Sequence, residues 1–144
     1  MTAVFSRIEV PETPNRADRE VILQGLVVFE EAAAGPLHIK PLAILIKDDA
    51  GKTIGGLWGT SMFRWLVIEL LFVPEQCRGE GLGTQIMATA ECIARERGCI
   101  GIWLDTYSFQ APHFYEKLGF QTFGTLEGQP PGERRLFMQK ALPR

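Results

Sequence analysis

Residues 65–84 read WLVIELLFVPEQCRGEGLGT, and this stretch decides the fold. Trp65 to Val73 is an apolar, β-branched run interrupted once, by Glu69, and it predicts a central strand. Pro74 ends it. Gly79, Gly81 and Gly83 then occupy three of five positions, with Arg78 at the mouth of the turn. A helix follows from about Gly83 to Arg97: Ile86, Met87, Ala90, Ile93 and Ala94 share one face, Glu91 and Arg95 pair at i,i+4, and Gly98 stops it. Glycines at such a turn adopt positive φ and let the backbone approach a ligand closely. The unpaired N–H groups of the helix start then face whatever fills the turn, and the helix dipole favours an anion there by roughly 0.3–1 kcal/mol. The turn is therefore a cradle for a pyrophosphate; the competing reading is a tight strand-to-helix turn that binds nothing. A nucleotide-triphosphate loop would end in Gly-Lys-Ser/Thr, where this chain has Gly83-Thr84-Gln85. The dinucleotide fingerprint needs another glycine spacing and usually follows the first strand of its domain.

Working outward, Phe5 to Val10 alternates and predicts a first strand, closed by Pro11 and Pro14. Asp18 to Ala34 places Val21, Ile22, Leu26, Phe29 and Ala33 on one helical stripe, ended by Gly35-Pro36. Leu42 to Lys47 and Thr53 to Thr60 predict a hairpin around Asp48-Asp49-Ala50-Gly51. Beyond the central helix, Cys99 to Leu104 predicts a buried strand and Phe109 to Leu118 a short helix closed by Gly119. Phe120 to Leu126 and Arg134 to Lys140 predict two closing strands. The order is β-α-β-β-β-α-β-α-β-β over a single domain, residues 1–144: an α/β (α+β) mixed sheet with helices on its faces.

Composition narrows the function. With 15 Lys and Arg against 17 Asp and Glu, the formal charge of -2 excludes a general nucleic-acid binder, which needs an excess of cations. Cys77, Cys92 and Cys99 are odd in number with no CxxC pair, so neither a disulfide framework nor a metal site is expected, and reduced thiols in the cytoplasm are. No run approaches the roughly 18 apolar residues of a membrane span, and no signal peptide is read in Met1 to Val10.

Arg78-x-x-Gly81-x-Gly83, after a strand ending in Val73-Pro74, resembles the acetyl-CoA motif Gln/Arg-x-x-Gly-x-Gly/Ala of the GNAT acetyltransferase superfamily. Some thirty residues on, Ala111 to Phe120, APHFYEKLGF, is similar to the family's second signature, an Ala followed by Tyr-x-x-x-Gly-Phe. The resemblance covers nearly the whole chain. It implies the GNAT acyl-CoA N-acyltransferase fold: a central, mostly antiparallel sheet with splayed fourth and fifth strands and helices on both faces. It implies acetyl-CoA as acyl donor, with the backbone of Leu71 and Val73 along the pantetheine arm. The N–H groups from Cys77 through Arg78, Gly79, Gly81, Leu82, Gly83 and Thr84 would hold the pyrophosphate, and Tyr115 would stand near the thioester sulfur. Many members carry Asn seven residues before this Tyr; here Ser108 stands instead and would supply part of that hydrogen bonding.

The chemistry needs a proton sink. A lysine-type amine is only about 0.04% neutral at pH 7, and deprotonating it costs roughly 4.6 kcal/mol. Glu69 is the candidate base, because it interrupts an apolar strand where a buried carboxylate holds a proton more readily than one in water. By alternation it is expected to share a face with Leu71 and Val73; a structural carboxylate paired with an arginine is the other reading. Tyr115 is the candidate acid toward the departing thiolate, against a core aromatic beside Phe114, Leu118 and Phe120. A backbone N–H near Leu71 would meet the oxyanion. His113 and His38 are read as unremarkable, Trp58, Trp65 and Trp103 as core or interface, and Glu30 and Glu31 as a solvated helix end. The expected reaction is direct attack by a small-molecule amine, with no metal, no nucleic acid and no membrane, by a homodimer. A protein lysine or N-terminal acetyltransferase, and a non-catalytic acyl-CoA sensor, are the alternatives.

Overall fold

The computed structural model describes residues 6–143. They fall into two compact units, one running to Leu37 and one spanning His38–Arg144. The first contains one helix, α1 (Arg16–Ala34). It starts earlier than its apolar stripe because Asn15, in extended backbone, accepts the Ala17 N–H at 2.8 Å. Gly35 ends it at φ 87, a left-handed region that suits glycine. No residue of α1 is buried. The strand expected over Phe5 to Val10 is not formed: residues 6–10 carry no ladder partner, and Ile8 is 98% exposed. Alternation supplies a face, whereas a strand also needs a neighbour for its N–H and C=O groups. Phe5 lies outside the described residues.

The second unit holds six strands, β1 (Lys40–Lys47), β2 (Thr53–Met62), β3 (Trp65–Phe72), β4 (Gly101–Tyr107), β5 (Gln121–Glu127) and β6 (Arg134–Ala141). They form one open sheet in the order β1-β2-β3-β4-β6-β5. Only β3 and β4 run parallel; the other neighbours are antiparallel. Helix α2 (Leu82–Glu96) makes the crossover between that parallel pair, and α3 (Pro112–Lys117) follows β4. The last helix is shorter than the sequence predicts, because Pro112 can open a helix but disfavours helical backbone at Ala111 before it. In the β1–β2 turn Asp48 Oδ1 accepts the N–H groups of Ala50 and Lys52, at 2.9 and 2.8 Å.

One core lies on one face of the sheet. Leu42, Ile68, Leu104 and Met138 form a row across five strands, with Gly59 of β2 between the first two, and Leu57, Leu66, Ile102 and Leu136 flank it. Ile86, Met87, Ala90 and Ala94 of α2 and Tyr115 of α3 pack onto this face. Polar contacts fasten α2 at its C-terminal end. Arg97 donates to the carbonyls of Lys40 and Pro41 and to Ser61 Oγ, each at 3.0 Å. Glu91 accepts from Lys140 of β6 at 2.9 Å and from Arg95 at 3.0 Å. The reverse face carries no helix of this unit. There Leu45, Trp58, Leu70 and Phe72 remain exposed. Trp65 packs over Gly101, where any Cβ would collide with the indole.

Two irregularities open the sheet. Ile68 pairs with Gly59 and Leu70 with Trp58, so Glu69 has no opposite residue: β3 is bulged at the carboxylate. The β3–β4 pairing also stops there, at Ile68↔Leu104. The splay expected between the fourth and fifth strands thus falls between β3 and β4, one number lower because the expected first strand is not formed. Among the described residues no helix is long and apolar enough to cross a membrane.

Candidate active site

Beyond Ile68↔Leu104, β3 and β4 part, and a cleft of about 840 Å³ occupies the fork. Its walls are the free edge of β3 (Glu69 to Val73), the glycine turn with the first turn of α2, the end of β4 (Asp105 to Tyr107), and Phe114 and Tyr115 of α3.

The turn is built for an anion. A 3₁₀ turn over Glu75–Cys77 uses the Cys77 N–H on the Pro74 carbonyl at 2.9 Å and the Arg78 N–H on the Glu75 carbonyl at 3.1 Å. The first intrahelical bond of α2 is Gln85 N–H to Gly81 C=O at 3.0 Å. Between these, the amides of Gly79 to Thr84 have no backbone partner among the described residues. Gly79 and Gly81 sit at φ 85 and 76, in the left-handed region that a side chain would strain. Gly83 is needed for a different reason: its Cβ would stand 3.2 Å from the Phe114 ring, so its absence lets α3 close onto α2. Arg78 lines the cleft and its Nε donates to the Val73 carbonyl at 3.0 Å, pinning the turn to the strand end. Free amides beside a guanidinium fit a pyrophosphate, and the unpaired edge of β3 fits an extended amide chain laid along it.

Most of the residues singled out in the sequence converge here. Glu69, Leu71, Val73, Arg78, Gly79, Gly81, Leu82, Gly83, Thr84 and Tyr115 all line the cleft. Two do not. Cys77 is off the wall, its amide spent in the 3₁₀ turn. Ser108 is a staple between loops: its hydroxyl donates to Glu133 and accepts the Arg134 N–H at 2.9 Å, so it is not free for a cofactor. The face assigned to Glu69 also changes. The bulge resets the alternation, leaving Leu71 against the core while Glu69 projects exposed at the fork. It makes no ion pair among the described residues.

Tyr115 is buried, edge-on to Phe114 and Phe120 at ring separations of 5.1 and 5.9 Å. Burial first, and then the charge of Asp105, push its phenol up to about 12. His113 is a surface residue, Nδ1 3.4 Å from Glu116.

The sequence reading missed the β4 side. Asp105 lines the cleft and its Oδ1 accepts from Arg135 Nε of β6 at 2.8 Å. The aromatic pair Tyr107 and Phe109, stacked 5.3 Å apart at 13°, lies beside it. Gln110 Oε1 accepts from the Tyr107 amide at 3.0 Å and shapes the exit of β4. A signal was present: Asp105 follows the apolar run ending at Leu104 as Glu69 follows Ile68, and the parallel pairing of those two residues puts the carboxylates on either side of the fork. The cleft is consequently polarised, with Arg78 and free amides at one end and two carboxylates at the other.

Comparison with known proteins gives a concordant result. The chain matches the acetyltransferase (GNAT) family over residues 7–120. It is 36% identical to the acetyltransferase Atu2258 of Agrobacterium fabrum over 121 residues, 84% of this chain and 88% of that protein. It is 42% identical to the blasticidin-S acetyltransferase of Streptomyces morookaense over 116 residues, 80% of this chain and 84% of that one. A crystal structure of an acetyltransferase from Bacillus cereus superposes with a TM-score of 0.80 at 34% identity, covering 93% of this chain and 98% of that one.

Proposed function

The chain belongs to the GNAT acetyltransferase family and takes acetyl-CoA as its acyl donor, and on that premise we propose that it N-acetylates a small-molecule amine by direct attack. The observation that carries the reading is the polarised cleft: a row of free amides and Arg78 for the donor's pyrophosphate, and Glu69 at the opposite end for a cation. The name of the blasticidin-S relative supports a small acceptor. The family match crosses from the N-terminal unit into the second, which supports residues 1–144 acting as one domain. We place it in a reducing cytoplasm because Cys77, Cys92 and Cys99 are odd in number and form no CxxC pair.

In this reading the amides from Gly79 to Thr84 hold the diphosphate, and the β3 edge from Leu71 to Val73 orients the pantetheine arm. Glu69, unpaired and exposed at the bulge, takes the proton from the acceptor ammonium. An N–H of β3 near Leu71 stabilises negative charge on the acetyl oxygen. Tyr115 donates a hydrogen bond to the departing sulfur. With its phenol at about 12, full transfer to a thiolate of pKa about 8.5 is uphill by roughly 5 kcal/mol, so hydrogen bonding is its contribution and not a completed proton transfer.

The test is acetyl-CoA titration by calorimetry, followed by release of the CoA thiol against a panel of amines. Micromolar binding that Gly81→Glu abolishes, with turnover of at least one small amine, is the expected result. Binding without turnover of any amine refutes the small-acceptor reading and turns attention to protein acceptors or a sensor.

A further inference from the structure

The β4 side of the fork holds a second carboxylate whose surroundings differ from those of Glu69. Asp105 is the residue after the last β3–β4 pair, as Glu69 is on the other strand, so the two flank the point where the strands part. Asp105 is held from one side only. Its Oδ1 is taken by Arg135 Nε, while Oδ2 has no hydrogen-bond partner among the described residues and the residue lines the cleft. Arg135 is itself fixed, its guanidinium 5.8 Å from the Tyr107 ring centroid and 5.2 Å from that of Phe137. Glu69 has no such partner and is free to follow a nitrogen; Asp105 is a stationary anion with one oxygen left over.

We infer that Asp105, positioned by Arg135, determines acceptor specificity by binding a second cationic group, so that the preferred acceptor carries two positive charges a few ångströms apart. This rests on the small-amine reading above and names the acceptor's class. Two carboxylates around a single ammonium would stabilise its protonated form and oppose the deprotonation that attack requires. A second cation changes the balance. Bound at Oδ2, it offsets the charge that Arg135 leaves on that carboxylate and, by repulsion, makes the proton on the reactive nitrogen easier to lose to Glu69.

The experiment compares kcat/KM for propane-1,3-diamine and propylamine at saturating acetyl-CoA, in the wild-type chain and in Asp105→Asn. The wild type should prefer the diamine by about tenfold beyond the statistical factor for two equivalent amines, the size of one hydrogen bond to a charged group. Asp105→Asn should reduce that ratio to near the statistical factor. Arg135→Lys should retain most of the preference and Arg135→Met should lose it, a pattern that general destabilisation does not produce. Acetyl-CoA affinity and thermal midpoint of each variant report folding, and the wild-type ratio tests the idea without any variant. Equal wild-type kcat/KM on the two amines, or a preference that survives Asp105→Asn, overturns this inference and leaves the small-amine reading standing. Acetyl-CoA binding with turnover of neither amine, nor of any other small amine, removes both.

Discussion

Tyr115 and Glu69 show how differently two single residues can be read. Tyr115 was legible because its spacing to Gly119-Phe120 is a local pattern, and the short helix that carries it is local too. Its chemistry was not legible. The high phenol value comes from Phe114, Phe120 and Asp105, brought together by packing between distant segments. The chain contains only two tyrosines, so Tyr107→Phe leaves Tyr115 alone for spectrophotometric titration. Phenolate absorbance should then rise near pH 12 and not near the ordinary 10. The linkage has a definite sign: the folded value lies above the unfolded one, so the neutral phenol's contribution to stability is complete below pH 10 and is lost as the pH rises through about 12. In the otherwise wild-type chain, Tyr115→Phe should lower kcat by about ten- to a hundredfold, the size of a lost charge-assisted hydrogen bond. A titration midpoint near 10 would show the ring to be solvated and remove the argument. Glu69 is the converse case. Its presence in an apolar strand was plain, but no pattern in β3 alone reveals a bulge, which is a mismatch in register with β2.

At the scale of elements, α2 joins both functions of the crossover: its first turn offers amides to the cleft and its last two turns fasten it to the sheet. The apolar stripe, the Glu91–Arg95 pair and the glycine punctuation were readable in order along the chain. The third member of the ion cluster, Lys140, was not, because it comes from β6, 49 residues away. Burial tends to push the Glu91 carboxyl up, but hydrogen bonds from Lys140 and Arg95 outweigh it and hold the carboxyl below its usual range. A depressed value means stability present above pH 4.5 and lost as the pH falls through the folded-state value. Glu91→Gln should therefore cost about 1–2 kcal/mol at pH 7, measured by urea unfolding, with the difference from wild type shrinking on acidification. A cost independent of pH would assign Glu91 a packing role only. The cleft should keep its affinity for acetyl-CoA in this variant, since Glu91 stands at the other end of the helix from Gly81.

For the whole molecule, the succession of strands and helices from β1 onward and the β1–β2 hairpin were readable along the chain, while the insertion of β6 between β4 and β5 and the fate of the N-terminal segment were not. Phe5 to Val10 has strand composition, and whether a strand forms depends on an available edge, which lies outside any local window. The same limit applied to the reverse face of the sheet. The bulge at Glu69 places Leu70 and Phe72 there with Leu45 and Trp58, whereas alternation along β3 alone would have left those two β3 residues beside Ile68 on the core face. All four are left exposed, with Leu70 at 67%, as neighbours on one face. The resemblance implies a homodimer through sheet edges or C-terminal strands; we propose this face for it instead, and the prediction can be made without disturbing the cleft, because Leu45 and Trp58 do not line it. Light scattering after gel filtration should give twice the 16.1 kDa chain mass for the wild type. The double variant Leu45→Glu/Trp58→Glu should run as a monomer and still bind acetyl-CoA, since a charge on each of two neighbouring strands cannot be buried against a second copy at tolerable cost. A wild-type chain that stays monomeric at micromolar concentration would refute the dimer, and a dimer that survives both glutamates would place its interface on another surface.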